Sequence, residues 1–394
     1  MSVLSTLHQQ VWTRFVRLPQ GHLLDYADQI GDAPIPTPAD CTRCMPNPLG
    51  WWTPIENGAF FTGLYAYALL SAPNGDPQEI RTLLGGLRLL QDVSRRDGFI
   101  ARGVATDGNA HYPFSSEDQV APWLLAMNAY RTSGFCPESE RQEIAGRLLR
   151  TLRGLKDCGW AVPTEREGMI SNAWGENHDW RGVVKLLYCA RLLYELTGDK
   201  SALEEYVFLR DSTPKDWFFT RKEIASHGFA HDMVQQRSLV QSWIFTCAHL
   251  CLRELCRLDP DAEPDYAEGL RLNGITSVRM IDNMLTYDNR ADGFDLNWRR
   301  LEPLWQPLGD RVQPAVDNAL RMGEYWNEHI VPHRKMEHDL LGFSLFSAWI
   351  AATCGDAHIE DTARQKLMQN CIQIDWKTLH NSYAFAAESA LICR

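Results

Sequence analysis

The chain is short of basic residues: 39 Lys and Arg stand against 50 Asp and Glu, giving a net charge of −11 and a pI near 5.6. That balance excludes a nucleic-acid backbone as the expected partner, because phosphate contacts need clustered Lys and Arg. A small local anion pocket stays open. No apolar run of about 18 residues occurs, so no segment is expected to span a membrane. The opening MSVLSTLHQQVW has no basic start and no apolar centre. It does not read as a signal peptide, and a cytoplasmic protein is expected. No phosphate loop, dinucleotide fingerprint or GxSxG is found, which leaves nucleotide and serine-hydrolase chemistry without a motif and no cofactor implied. The eleven cysteines are an odd number. Cys189, Cys247, Cys251, Cys256, Cys354 and Cys371 fall inside helical stretches, as buried free thiols of a reducing compartment would. Cys41 and Cys44 form a CxxC, but no second pair follows at zinc-site spacing, so no metal is expected.

No low-complexity tract, Pro/Gly/Ser-rich linker or charge run divides the 394 residues. What the chain has instead is a repeat. Six times a polar patch rich in carboxylates or His runs into an almost wholly apolar stretch. The patches begin at Glu56-Asn57-Gly58, Ser115 to Gln119, Gly175 to Trp180, Gln235-Gln236-Arg237, Met336 to Asp339 and His380 to Tyr383. The stops are Gly75, Gly134, Gly198, Asp259-Pro260 and Gly355, and the sixth stretch runs to the last residue. The first four stops recur roughly every 60 residues, a period that marks a repeat architecture.

Two helix types alternate. Residues 178–197 are apolar on nearly every face, as in a helix buried all round. Residues 262–286 keep Tyr266, Leu270, Val278, Ile281 and Leu285 on one side and charge on the other, the pattern of a surface helix. Pairing outer with inner gives 2–17 with 56–71, 77–94 with 118–133, 138–157 with 178–197, 199–210 with 234–257, 262–286 with 335–354 and 357–372 with 379–393. The expectation is an all-α protein: one (α/α)6 toroid spanning 1–394, with an insertion at about 287–334 that holds an extra helix between Pro314 and Ile330. A helical solenoid is the alternative. Short links end each inner helix, where Gly suits a left-handed stop. Long links precede the inner helices, and long ordered loops are usually functional. All six should therefore emerge on one face.

That face would gather Glu56, Glu117, Asp118, Glu176, Asp179, Glu337 and Asp339, together with His178, His231, His338 and His380. Helix capping accounts for any one of the acids, since Asp and Ser accept N–H bonds at a helix start. Capping needs one short residue, however, and these patches supply several. Trp is abundant, 14 in all. Trp51, Trp52, Trp174 and Trp180 adjoin the same face, where a flat ring suits the C–H face of a sugar. Carboxylates among aromatics point to carbohydrate chemistry, usually two acids flanking a glycosidic bond. Asp179 is the expected acid/base, with Asp118 or Glu56 as second carboxylate. Trp51, Trp52, Glu117, Glu176, His178, Trp180, Arg237, His338 and Asp339 are the expected substrate-binding residues. Helix N-termini with Arg181, Arg237 or Arg334 would also suit a uronate.

WWTPIENGAFFTGLYAYALL, DGFIARGV, HYPFSSEDQVAPWLLAMNAY and DWRGVVKLLYCARLLYELTGD resemble the six-hairpin glycosidase superfamily, over about residues 50–200. In layout the chain is most similar to unsaturated glucuronyl hydrolases and related glucuronidases. Those carry an Asp at the start of the second inner helix and another at the third, positions that Asp118 and Asp179 match. The resemblance departs at His178-Asp179-Trp180, where the family has Ile-Asp before a Met-Asn-rich turn. It implies a glycoside hydrolase acting exo on a short oligosaccharide, with a uronic-acid sugar among the substrates. The alternatives are a sugar epimerase of the N-acylglucosamine 2-epimerase type with His bases, a polysaccharide lyase, and a non-enzymatic binding toroid.

Overall fold

The computed structural model describes residues 2–44, 53–173, 178–232, 242–289, 296–299 and 336–394. It is mostly helical, in line with the expected all-α class. The helices are α1 (Val3–Gln10), α2 (Pro38–Arg43), α3 (Gly58–Ser71), α4 (Pro77–Asp92), α5 (Glu117–Thr132), α6 (Glu138–Asp157), α7 (Trp180–Thr197), α8 (Lys200–Asp211), α9 (Arg221–Ser226), α10 (Ser242–Leu258), α11 (Glu263–Ser277), α12 (Phe343–Ala352), α13 (Ala357–Cys371) and α14 (Ala384–Ile392). Two small antiparallel hairpins, absent from the expectation, pair β1 (Val16–Arg17) with β2 (His22–Leu23) and β3 (Ala161–Pro163) with β4 (Ile170–Ala173). No described helix is long and apolar enough to cross a membrane.

Of the expected Gly stops, Gly198 and Gly355 are left-handed, whereas α3 and α5 end on the extended residues Ala72 and Ser133, before Gly75 and Gly134. Gly198 ends α7 at φ 64°, a left-handed position where a Cβ would be strained, and its N–H bonds the Tyr194 carbonyl at 2.8 Å. The Asp that follows a Gly stop then caps the next outer helix. Asp76 accepts the Gln78 N–H at 2.7 Å, Asp199 the Ser201 N–H at 2.9 Å and Asp356 the His358 N–H at 3.0 Å. Two stretches differ from their expectation: the helix expected over 2–17 passes into a π-helical segment at Val11–Phe15 and then into β1. Residues 262–286 are not one helix: α11 ends at Ser277 and a separate 3-10 turn covers Ile281–Thr286. Most of the 287–334 insertion, with the helix expected from Pro314, lies outside the described residues. Its described part reaches the body through Trp298, whose indole N–H bonds the Pro34 carbonyl at 2.6 Å, and Arg299, which meets Asp40 at 3.0 Å.

The apolar helices α3, α5, α7, α10, α12 and α14 supply one continuous core, with Phe60, Trp123, Leu187, Leu252, Trp349 and Phe385 among its buried members. In that core α3 packs on α5 and α14, α10 on α5, α7 and α12, and α12 on α14. The amphipathic helices cover them: α4 on α3, α6 on α5 and α7, α8 on α7, α11 on α10 and α12, α13 on α12 and α14. Helix α1 covers α14, so the start of the chain meets its last helix.

That junction is polar. His8 meets Glu388 through Nδ1 and Glu79 through Nε2, each at 2.9 Å, while the Tyr65 hydroxyl donates to the other Glu388 oxygen at 2.8 Å. At the opposite end, Arg14 donates to the Asp28 and Trp376 carbonyls at 3.0 and 3.3 Å. The Ala27 N–H bonds His380 at 3.0 Å and the Ser382 N–H bonds Asp25 at 2.9 Å.

The hydrogen bonds to Glu388 and Glu79 raise the His8 pKa to about 10. A raised His stabilises fully below its unfolded value of about 6.5 and loses that contribution as pH climbs through its folded value. Thermal melts between pH 6 and pH 10.5 should therefore show a steeper fall in Tm for the wild type than for His8→Gln. Parallel curves for the two proteins would contradict the junction's ionic character.

Candidate functional site

The N-terminal ends of α3, α5 and α7 hold the charged cluster. Gly58 opens α3 where the Arg102 carbonyl crosses it; a Cβ there would sit 2.5 Å from that oxygen, so only Gly admits the strand-like segment 99–105. The Ala59 N–H bonds the same carbonyl at 2.9 Å. This close passage brings the Arg102 side chain under the helix start, where it donates to the Glu56 carbonyl at 3.2 Å. Arg102 is buried, its Nε has no partner among the described residues, and Glu56, Asp118 and Asp25 are the charges that act on it. Asp25 in turn accepts both the backbone N–H and the side-chain amide of Asn57, at 2.8 and 2.6 Å.

Helix α5 begins with Ser116, whose hydroxyl caps nothing and is likewise buried without a partner. Its neighbour Ser115 is pinned from both sides, donating to the Ile100 carbonyl at 2.6 Å and accepting Ser171 of β4 at 2.8 Å through its own carbonyl. Glu117 and Asp118 follow in the first turn. Across from them stands Lys185 of α7, fully buried, with its ammonium 3.5 Å from both carboxylates. Burial alone would pull the lysine pKa down, but Glu117 and Asp118 outweigh it and hold the ammonium charged. Asp118 is surrounded by the body of the protein, and this raises its pKa against the opposing pull of Lys185. Its side chain still keeps 23% of its surface accessible.

Helix α7 starts under two carboxylates. Asp179 Oδ1 accepts the Gly182 N–H at 2.8 Å and meets Arg181 Nε at 3.3 Å. Asp232 comes from the turn after α9 and accepts the Trp180 N–H at 2.7 Å. A buried chain sets that turn in place: the Phe229 N–H bonds Asn273 Oδ1 at 2.7 Å, Asn273 bonds His249 at 3.2 Å, and His249 reaches the Thr353 carbonyl at 3.2 Å. Asp232 is 4% exposed, and its second oxygen has no partner among the described residues. Burial, with Asp179 adding to it, pushes its pKa up to about 7. Arg181 lies within the fields of Glu117, Asp179, Asp118 and Asp232.

Beside this cluster, His178 is exposed and stacks on Trp217 at 4.4 Å and 19°. His231 donates through Nε2 to the His178 carbonyl at 3.1 Å, and burial lowers its pKa.

The structure thus brings Glu56, Glu117, Asp118, Asp179 and His178 to one region. It corrects two other expectations. Trp180 is a core residue and not a sugar platform: it is fully buried, stacked on Phe245 at 6.0 Å, with its indole N–H on the Ala225 carbonyl at 3.2 Å. His338 is also buried, bonded to the Tyr383 hydroxyl at 2.6 Å and packed on Trp243 at 4.1 Å. Asp339 is half-buried in the turn before α12. Its neighbour Glu337 accepts the His380 and Asn381 N–H groups at 3.1 and 2.9 Å and the Asn381 side-chain amide at 2.6 Å, so it holds the 380–381 segment in place. Burial raises its pKa to about 7 as well. Trp51, Trp52, Glu176 and Arg237 lie outside the described residues. Cys41 and Cys44 are buried free thiols; desolvation pushes Cys41 up to about 12.

Sequence reasoning missed Arg102, Lys185 and Asp232. Lys185 did leave a signal, a lysine among the apolar residues 183–190 of α7 and four residues after Arg181. Asp232 left none, because its partners come from α7 and not from its own segment.

A cavity of about 590 Å³ lies elsewhere, at the C-terminal ends of α3 and α14, lined by His8, Glu79 and Glu388. Its ionised groups already satisfy one another as described above. At the α5/α7 end Arg102 Nε, Ser116 Oγ and Asp232 Oδ2 are buried without a hydrogen-bond partner among the described residues.

Replacing Lys185 with Met should cost about 3–5 kcal/mol in denaturant unfolding, the usual penalty for stranding buried carboxylates without their counter-charge. A loss below about 1 kcal/mol, the scale of an exposed pair, would contradict the buried pairing. For Asp232 the pH sign is the reverse of an ordinary salt-bridged acid. The folded protein binds the proton more tightly than the unfolded chain, so stability falls as pH rises from about 4 to about 7. Asp232→Asn should flatten part of that fall, the remainder belonging to Glu337 and Asp118. An unchanged pH slope in the variant would place the Asp232 proton elsewhere.

No protein family, no curated protein and no solved structure matches this chain, so the reading of the site rests on its own geometry.

Proposed function

We propose that the protein is a glycoside hydrolase acting exo on a short oligosaccharide, built as a single (α/α)6 toroid. The toroid reading is supported by the alternation of apolar and amphipathic helices and by the return of α14 to α3 beneath α1. The carrying observation for the chemistry is Asp118: a carboxyl group enclosed by protein, raised in pKa by burial, and still accessible. Those are the properties of a proton donor to a glycosidic oxygen.

In this mechanism Asp118 gives its proton to the leaving oxygen as the C–O bond breaks. Asp179 is the second carboxylate and faces the charge that develops on the sugar ring; water then adds to that carbon, and the proton it releases restores Asp118. The roles are exchanged relative to the sequence reading, because Asp179 Oδ1 is committed to the Gly182 N–H and Arg181. Lys185 and Arg181 position both acids and limit their mutual repulsion. Glu117 balances Lys185, and Glu56 holds Arg102 in place. His178 on Trp217 offers a flat wall to one face of the sugar. The epimerase alternative draws less support, since His338 and His380 are taken up by the Tyr383 hydroxyl and the Ala27 carbonyl.

A panel of α- and β-linked disaccharides should yield reducing ends with the wild type. Asp118→Asn should lower kcat by about a hundredfold or more with an unchanged melting curve, as loss of a general acid does. Turnover close to wild type in that variant would remove Asp118 from the role. Interconversion of free sugars without cleavage would favour the epimerase, and a new C=C absorbance the lyase.

A further inference from the structure

The flat wall beside the site does not end at Trp217. His178, the neighbour of Asp179, stacks on the Trp217 ring at 4.4 Å. Trp217 in turn opens a run of three aromatics, Trp217-Phe218-Phe219, in the segment between α8 and α9. The Phe218 ring lies 5.8 Å from the Trp217 ring, and Phe219 meets His227 edge-on at 4.8 Å. The three rings are not equivalent. Trp217 packs on the core, whereas Phe218 is 85% exposed. A row of rings thus runs from the Asp179 end of α7 out into solvent.

The segment that carries the row is fixed from both ends. The Arg221 N–H bonds the Ser212 carbonyl at 3.1 Å, and its guanidinium donates to the Ser212 hydroxyl at 2.9 Å and the Leu209 carbonyl at 3.3 Å. Thr220 and Glu223 form a capping box at the start of α9. Inside the loop, the Trp217 N–H bonds the Pro214 carbonyl at 3.2 Å, and Asp216 takes a left-handed φ of 58°. His231 braces the wall, with its ring 5.7 Å from Trp217 and its Nε2 on the His178 carbonyl. A single apolar residue on a surface needs no explanation. Phe218 is different, because it extends the wall of a site and its backbone is already held, so a ligand that covers the ring pays little ordering entropy.

We propose that Phe218 is a stacking platform for a sugar residue on the leaving side of the cleaved bond, so that the preferred substrate is longer than a disaccharide. This rests on the hydrolase reading above. The terminal sugar lies against His178 and Trp217 beside Asp118 and Asp179, and the rest of the chain runs out along the same row of rings. Phenylalanine offers a face and no hydrogen-bonding group. The platform therefore reads the C–H face of a ring and not its hydroxyl pattern or charge. Its contribution is insensitive to salt, unlike a charge contact.

The test uses the full chain and pairs each disaccharide of the panel above with its trisaccharide: maltose with maltotriose, cellobiose with cellotriose, laminaribiose with laminaritriose and chitobiose with chitotriose. For the linkage that is cleaved, kcat/KM should be about fivefold or more higher for the trisaccharide, the scale of one aromatic stacking contact. The gain should lie in KM and not in kcat, because stacking holds the ground state and the transition state alike. Phe218→Ala should bring the ratio close to one with an unchanged melting curve, since the ring is exposed. Phe218→Tyr keeps the ring face and should keep the ratio. Equal kcat/KM for the two lengths in the wild type, an unchanged ratio in Phe218→Ala, or a ratio lost equally in Phe218→Tyr would each overturn the platform while leaving the hydrolase standing. A wild type that sediments as a dimer beside a monomeric Phe218→Ala of unchanged ratio would assign the ring to a second copy of the chain and overturn it too. Cleavage of no member of either length would overturn the hydrolase reading, and the platform with it.

Discussion

The buried ammonium of Lys185 is the constraint around which this end of the molecule is arranged. A lysine in the middle of a core helix must lose its charge or find counter-charges. Here Glu117 and Asp118 supply them from the first turn of α5, at 3.5 Å each. The interaction ties the start of α5 to α7. It also leaves two acids and a base in one enclosed place. Separating any one from the others leaves an unpaired charge in low dielectric, which costs more than the pair contributes in water.

The same type of residue does different work at the two ends of the protein. Asp76, Asp199 and Asp356 cap outer helices at the surface and are satisfied by the next turn of their own chain. His8, Glu79, Glu388 and Tyr65 close the first helix onto the last. At the α5/α7 end the accounting does not close. Arg102 Nε, Ser116 Oγ and Asp232 Oδ2 are buried without a described partner. Atoms of this kind also occur elsewhere in the described protein, on Asn128, Trp349 and Ser389 among others.

Helix capping and chemistry overlap at α7. Asp179 caps from within the chain and Asp232 from across it, so two carboxylates share one helix start. Their repulsion, added to burial, keeps the Asp232 carboxyl protonated up to about pH 7. Arg181, one turn before Lys185 on the same helix, tempers that repulsion. Two cations four residues apart on one helix face would ordinarily disfavour each other. Four carboxylates from three segments reverse the sign.

By itself the sequence determined most of the helices and their order, though not α2, α9 or the break within 262–286. Those depend on local rules: apolar periodicity, a left-handed stop at Gly198, an Asp after the stop that caps the next helix. It also picked out the charged starts at Glu56, Asp118 and Asp179, because several acids exceed what one cap requires. Only the tertiary structure decided what each acid does. Trp180 read as a binding face and is a core ring, since its neighbours Phe229 and Phe245 come from distant segments. Asp179 read as the acid and serves as a cap, while Asp118 is the enclosed and accessible one. Asp232 gave no sign along the chain, because its character comes from Asp179, Arg181 and the Trp180 N–H, roughly fifty residues away. A carboxylate's proton affinity and its free lone pairs are set by distances through space, and those exist only once the helices have packed.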